Sequence, residues 1–221
     1  MKRLLFPFVT ADTALFSIDE DELKVLLVRR ASPPAKGEWA LPGGALKPAV
    51  DGSLEDTARR VLRDKISVDI PHLEQVGSFS GPERDARGWS ISQLFYALLP
   101  RDKIDALVKT KVEAIEWSSV SKGSSKRRLA FDHDKQLAAA LKLLRGRVAQ
   151  HALPLHLLPK RFTLTELQRT VEAILGYEVD KSAFRRRIKG SLDLVELDEY
   201  VRGSQRPAQL FRASDEFRFE A

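Results

Sequence analysis

The spacing of apolar positions changes along this chain, and the changes divide it. Phe8 to Ile18 and Leu23 to Arg30 are apolar, β-branched runs that predict two strands joined by the acidic turn Asp19-Glu-Asp-Glu. A Gly- and Pro-rich loop carrying Trp39 follows. Ser53 with Asp56 three positions on resembles a capping box, and Leu54, Ala58 and Leu62 then recur at helical spacing. Gln75 to Phe79, Trp89 to Leu99 and Val112 to Trp117 predict further strands. Leu137, Leu141 and Leu144 form the core stripe of a helix that Asp132 is placed to cap.

Pro154 and Pro159 bracket a linker whose leucines imply that it packs rather than swings free. After Lys160 the period is helical. Thr163 and Glu166 form a capping box ahead of Leu164, Leu167, Val171, Ile174 and Leu175, and Gly176 ends the helix. Asp180 then starts a short second helix, closed by Gly190. Leu192–Leu197 and Gln209–Arg212, around a turn containing Gly203, read as a two-stranded wing. The expected fold class is α/β (α+β): a mixed α/β part over residues 1–152, then a linker and a small winged helix-turn-helix domain over 153–221.

Composition narrows the chemistry. The 221 residues include no cysteine, which excludes disulfides, thiolate metal sites and a Cys nucleophile. The four histidines have no metal-ligand spacing. No apolar run approaches membrane-spanning length, and acidic and polar residues follow Phe8 too soon for a signal peptide, so a cytoplasmic protein is expected. A formal net charge of +6 says little by itself, but its distribution says more. The part beyond Lys160 is nearly neutral overall, yet Lys181, Arg185, Arg186, Arg187 and Lys189 fall within nine residues that contain no acid. On that helix Phe184 and Ile188 are one turn apart and must face the core. The opposite face then carries Ser182, Arg185, Arg186 and Lys189, the form a recognition helix takes in the major groove of double-stranded DNA. Arg202 and Arg206 flank the wing turn, where they suit the backbone or minor groove. A charge run on a short helix is ordinarily a solvated face; its position after another helix and before a hairpin favours the binding reading.

A second constellation lies in Leu41-Pro-Gly-Gly through Val68. With Gly44 and Arg60 as anchors, it resembles the Nudix box, G-x5-E-x7-R-E-U-x-E-E-x-G-U, where U is aliphatic. The carboxylates are gone. Gly52 stands at the first Glu, after two extra residues in the loop; Val61 at the Glu after Arg60; Asp64-Lys65 at the Glu-Glu pair; and Ser67 at the last Gly. Mg2+ needs several carboxylate oxygens converging on one helix face. One Asp beside a lysine opposes such a site, so neither catalytic nor metal-binding residues are expected.

With Gly37-Glu-Trp-Ala-Leu-Pro-Gly-Gly, Arg84-Asp-Ala-Arg-Gly-Trp, Phe131-Asp-His, Leu158-Pro-Lys-Arg-Phe-Thr and Arg206-Pro-Ala-Gln-Leu-Phe in this order, nearly the whole chain resembles the Nudix-related transcriptional regulators of bacterial NAD metabolism. The resemblance implies a Nudix-like α/β/α sandwich with a mixed sheet acting as a sensor, a C-terminal winged helix, a homodimer and a palindromic operator. It implies ADP-ribose as effector, or an adenine nucleotide such as ATP or NAD, with no cofactor required. For the effector the candidates are Arg29, Lys36, Trp39, Arg87, the Gly43-Gly44 backbone and Lys65: cations for a diphosphate and an indole for adenine. Core packing for Trp39 and an ion pair for Arg29 are the plainer alternatives, and Arg60 is expected to pair with a carboxylate near the box. Two other functions remain open: a divergent hydrolase using Asp64, Glu55 and Asp56, and an RNA-binding or protein-docking module.

Overall fold

Alternation along β1 (Phe8–Asp19) decides the layering. Leu15 turns to one face of the sheet and Ala14 and Phe16 to the other, all fully buried. In β2 (Glu22–Arg29) Leu26 opposes Val25 and Leu27, and in β6 (Ser90–Leu98) Ala97 opposes Tyr96 and Leu98. Strand segments covered on both faces read as continuous apolar runs, as Ala14–Phe16, Val25–Val28 and Leu94–Leu98 do. The computed structural model describes residues 6–100, 103, 113–121, 124–150, 152–201, 207–217 and 219.

The main sheet runs β5 (His72–Gly81), β6, β1, β2, β7 (Ala114–Ser121), β8 (Ser124–Ser125). The short β3 (Trp39–Ala40) pairs with β2, and β4 (Gly43–Ala45) with β1. Strands β1 and β6 are parallel, whereas β1 and β2 form a hairpin whose two turn residues, Glu20 and Asp21, both have positive φ, 50° and 57°. That geometry matches the twist of the flanking strands. Helix α1 (Leu54–Ile66) covers one face with Leu62 and Ile66, and α2 (His133–Ala149) covers the other with Leu137, Leu141 and Leu144. The expected mixed-sheet sandwich is what forms.

Asp132 departs from expectation. It sits at the N-cap of α2, but its side chain bonds no backbone N–H of the first turn. Instead it accepts from Arg84 Nη2 and Nε, 2.8 and 3.1 Å, and from Gln136. A buried guanidinium that needs a counter-charge has displaced the cap.

The second unit is β9 (Phe162–Thr163), α3 (Leu164–Leu175), α4 (Lys181–Ile188), β10 (Leu194–Val201) and β11 (Ala208–Ala213), with sheet order β10-β11-β9. The third strand, β9, is a correction to the two-stranded wing. The capping box of α3 is complete: Thr163 Oγ1 accepts from Glu166 N, and Glu166 Oε2 accepts from Thr163 N. Gly176 closes the helix at φ 79°, and Asp180 accepts from Ala183 N at 2.7 Å to open α4.

Between the units, Leu153, Leu155, Leu157 and Leu158 are buried around the 3-10 turn Leu155–Leu157, in the same apolar cluster as α2, α3, Phe217 and Phe219. The linker is therefore part of the core. At this seam the His156 ring stacks on His72, centroids 5.0 Å apart, with Phe217 and Phe219 against the pair. Burial, and secondarily His72, pushes His156 down to about 4. Arg145 on α2 donates to the Ile174 carbonyl at 2.8 Å, tying that helix to the last turn of α3.

Candidate functional site

Two adjacent glycines let three elements close on one another. A Cβ on Gly43 would strike Asp12 Oδ1, and a Cβ on Gly44 would lie 2.7 Å from Val61 Cγ2. With both absent, β1 and α1 approach β4, and a cavity of about 200 Å³ opens beside it. Its cationic lining is Arg30, Lys65, Arg84 and Arg87, against the carboxylates of Asp12 and Asp85. Phe8 and Phe131 also line it.

The polar groups come from several elements, and each is held by bonds of its own. Asp85 accepts the Arg87 backbone N–H, Nε and Nη2, and these bonds keep its carboxyl below the usual range; the Arg87 guanidinium lies 4.0 Å from the centre of the Phe8 ring. Arg84 is fixed by Asp132 and Ser90. Asp12 accepts from Ser92 and lies 3.7 Å from His133 Nε2, while His133 Nδ1 accepts from Leu41 N at 2.9 Å. Complete burial lowers the His133 pKa and keeps the ring neutral. Arg30 donates to the carbonyls of Pro34 and Ser32 and stacks 4.8 Å from the centre of Phe131. Phe131 itself holds φ at 58°, a strained setting for a bulky residue.

The box helix turns Val61 and Lys65 towards the glycines. Val61 is buried, and Lys65 Nζ donates to the Gly43 carbonyl at 2.6 Å. Asp64 is exposed; Glu55 pairs with Arg59, and Asp56 is tied to the N-cap Ser53, whose Oγ accepts from the Asp56 backbone N–H and donates to its carboxylate. Gly52 is on the exposed loop. Among the described residues no three His, Asp or Glu side chains come together to hold a metal ion. The residues present do not fit the Mg2+ of a hydrolase. Arg60 clamps Asp51 with two bonds of 2.6 and 2.7 Å and also donates to Ala45 O, closing the enlarged loop.

Of the anticipated effector residues, Gly43, Gly44, Lys65 and Arg87 come together here. Arg29, Lys36 and Trp39 lie outside the cavity lining. Arg29 donates to Gly37 O and faces Glu113 at 3.8 Å; Lys36 is exposed; Trp39 is half-buried under Arg127. The sequence reading passed over Arg30, Asp12, Arg84, Asp85, Phe131 and His133. For Arg30 a signal existed, since successive strand residues point to opposite sides and Arg29 and Arg30 could not both enter.

In the second unit, Phe184 and Ile188 are buried and Ser182, Arg185, Arg186 and Lys189 are exposed. Lys181, Arg185 and Lys189 border a groove of about 850 Å³ between α4 and the wing strands, with Glu196 and Gln209 on its far side. Arg202 and Arg206 lie outside the described residues. Among the described residues no helix is long and apolar enough to cross a membrane.

Comparison with known proteins matches this architecture. Residues 9–140 match the NUDIX domain and residues 154–213 the NrtR DNA-binding winged helix domain. The chain is 41% identical, over 93% of its length and 82% of the relative's, to a protein of Acinetobacter baylyi named ADPR responsive transcriptional repressor NtrR. NrtR of Shewanella oneidensis, solved with a 27mer DNA, superposes with a TM-score of 0.81 at 34% identity, covering 93% of both chains. The NUDIX domain of that protein, solved with ADP ribose, superposes with a TM-score of 0.56 at 33% identity, covering 65% of this chain and 92% of that one. The chain belongs to the NrtR family, a Nudix domain followed by an NrtR DNA-binding winged helix.

Proposed function

We propose that this protein is an ADP-ribose-responsive transcriptional repressor. A homodimer binds a palindromic operator through the α4 face, and the cavity beside Gly43-Gly44 senses the nucleotide to control NAD-metabolism genes. The observation that carries this reading is that the likeness to the Acinetobacter baylyi repressor spans both modules in one chain. The geometry supports it: cations line the cavity, and an exposed Ser182–Lys189 face stands beside the wing. Arg can fork onto guanine O6 and N7, and Lys suits phosphate. Within the cavity, Arg30, Lys65 and Arg87 suit the diphosphate, with the Phe131 or Phe8 ring for the base. Arg29, Lys36 and Trp39 stay as candidates only for a larger ligand extending along β3. The Nudix domain is read as non-hydrolytic, because Val61 and Lys65 occupy the helix face a metal would need.

The test is a mobility-shift assay on DNA upstream of the protein's own gene and of NAD-metabolism genes, with ADP-ribose, ATP or NAD added. Binding is expected at a palindrome, with affinity changed by ADP-ribose more than by ATP or NAD. Arg185→Ala and Arg186→Ala should each weaken binding and reduce its salt dependence by about one counterion. An unchanged affinity in both variants, or indifference to ADP-ribose, overturns the reading.

A further inference from the structure

The Nudix fold ordinarily implies a divalent cation, and the residues here refuse one. What stands in its place is Lys65. Its stem runs along the box helix one turn beyond Val61, and its ammonium reaches the Gly43 carbonyl at the edge of the cavity. Among the described residues, Lys65 and Arg30 are the two lining cations whose hydrogen bonds go only to backbone carbonyls; Arg84 and Arg87 already bond the carboxylates of Asp132 and Asp85, which leaves Arg87 a secondary contact for a diphosphate. Burial lowers the Lys65 pKa, the nearby charge of Arg30 lowers it further, and Asp12 opposes both. A half-buried ammonium that lacks a full counter-ion is costly, and an anion entering between it and Arg30 would remove that cost.

We propose that Lys65 replaces the divalent cation. Its ammonium and the Arg30 guanidinium are the counter-charge for the diphosphate of a nucleoside diphosphate ligand, which this chain binds without metal. The inference rests on reading the cavity as the effector site, but it concerns how a diphosphate is neutralised there rather than which one is sensed.

The test is calorimetric titration of the full chain with ADP-ribose, ADP and inorganic pyrophosphate, each in EDTA and in Mg2+. Wild type is expected to bind at least one of the three in EDTA, with an affinity within about threefold of that in Mg2+. Lys65→Gln should lose about tenfold or more in EDTA and Lys65→Arg should keep most of the affinity, with melting curves reporting that both are folded. Comparing EDTA with Mg2+ on wild type requires no variant. Binding that needs Mg2+, binding by none of the three in EDTA, or an affinity unchanged in folded Lys65→Gln overturns the proposal. ADP or pyrophosphate binding in EDTA through Lys65, without ADP-ribose binding, upholds it and removes ADP-ribose as the effector.

Discussion

Asp51 comes from the stretch that lengthens the box loop, yet it is among the most heavily bonded carboxylates in the chain. It accepts from Arg60 twice, from Thr57 Oγ1 and from Lys47 N, and these bonds, led by Arg60, hold its carboxyl far below the usual range. A carboxylate depressed in the folded state stabilises above its unfolded value, near pH 4, and that contribution is lost as pH falls towards the folded value. Asp51→Asn should therefore lower the melting temperature by several degrees at pH 7. The difference from wild type should narrow steadily below about pH 4; a gap constant from pH 7 to pH 3 would contradict this account. Arg60 was legible as a scaffold residue, but its partner was not, because the inserted loop offers no period to read. Arg29 and Arg30 show the same limit: a one-residue alternation decides which enters the cavity, and both fit an apolar run ending in two cations.

Helix boundaries were the most legible elements, because caps are written in local chemistry. Ser53, Thr163 and Asp180 all accept the backbone N–H their positions promised. Thr163→Ala should cost about 1 kcal/mol, read from the midpoint of chemical denaturation. The loss should also loosen the pairing of Thr163 with Leu210, since this residue belongs to β9 as well as to the cap of α3. A midpoint equal to wild type would mean that Glu166 alone sustains the turn. Strand β9 was invisible beforehand because two residues carry no alternation. Asp132 was misread for a different reason: its partner Arg84 is 48 positions away, and a long-range ion pair outranked the local cap. In the box helix, Asp64 and Lys65 are adjacent in sequence but about 100° apart around the axis. One therefore faces water while the other reaches the cavity.

At the scale of the molecule, the mixed α/β character and the two-module order were readable from the periods of the apolar residues, and the sandwich from the likeness of the Gly44–Val68 stretch to the Nudix box. The cavity was not, because β1, the segment after β2, β4, α1, the loop before β6 and the start of α2 each supply only one to three residues to it. Helix α2 has a second attachment. Its first turn holds His133 against Asp12, and near its other end Arg145 grips the last turn of α3 in the winged helix. Arg145→Ala should leave ADP-ribose affinity of the Nudix domain within about twofold while reducing the change in DNA affinity that the nucleotide causes; full retention of that change would remove α2 as the route. The 17 residues of α2 form a rod about 25 Å long. Such a rod works as a lever: a tilt of about 4° at the cavity carries its far end about 1.7 Å, within the range of interface helix shifts that separate two packed states.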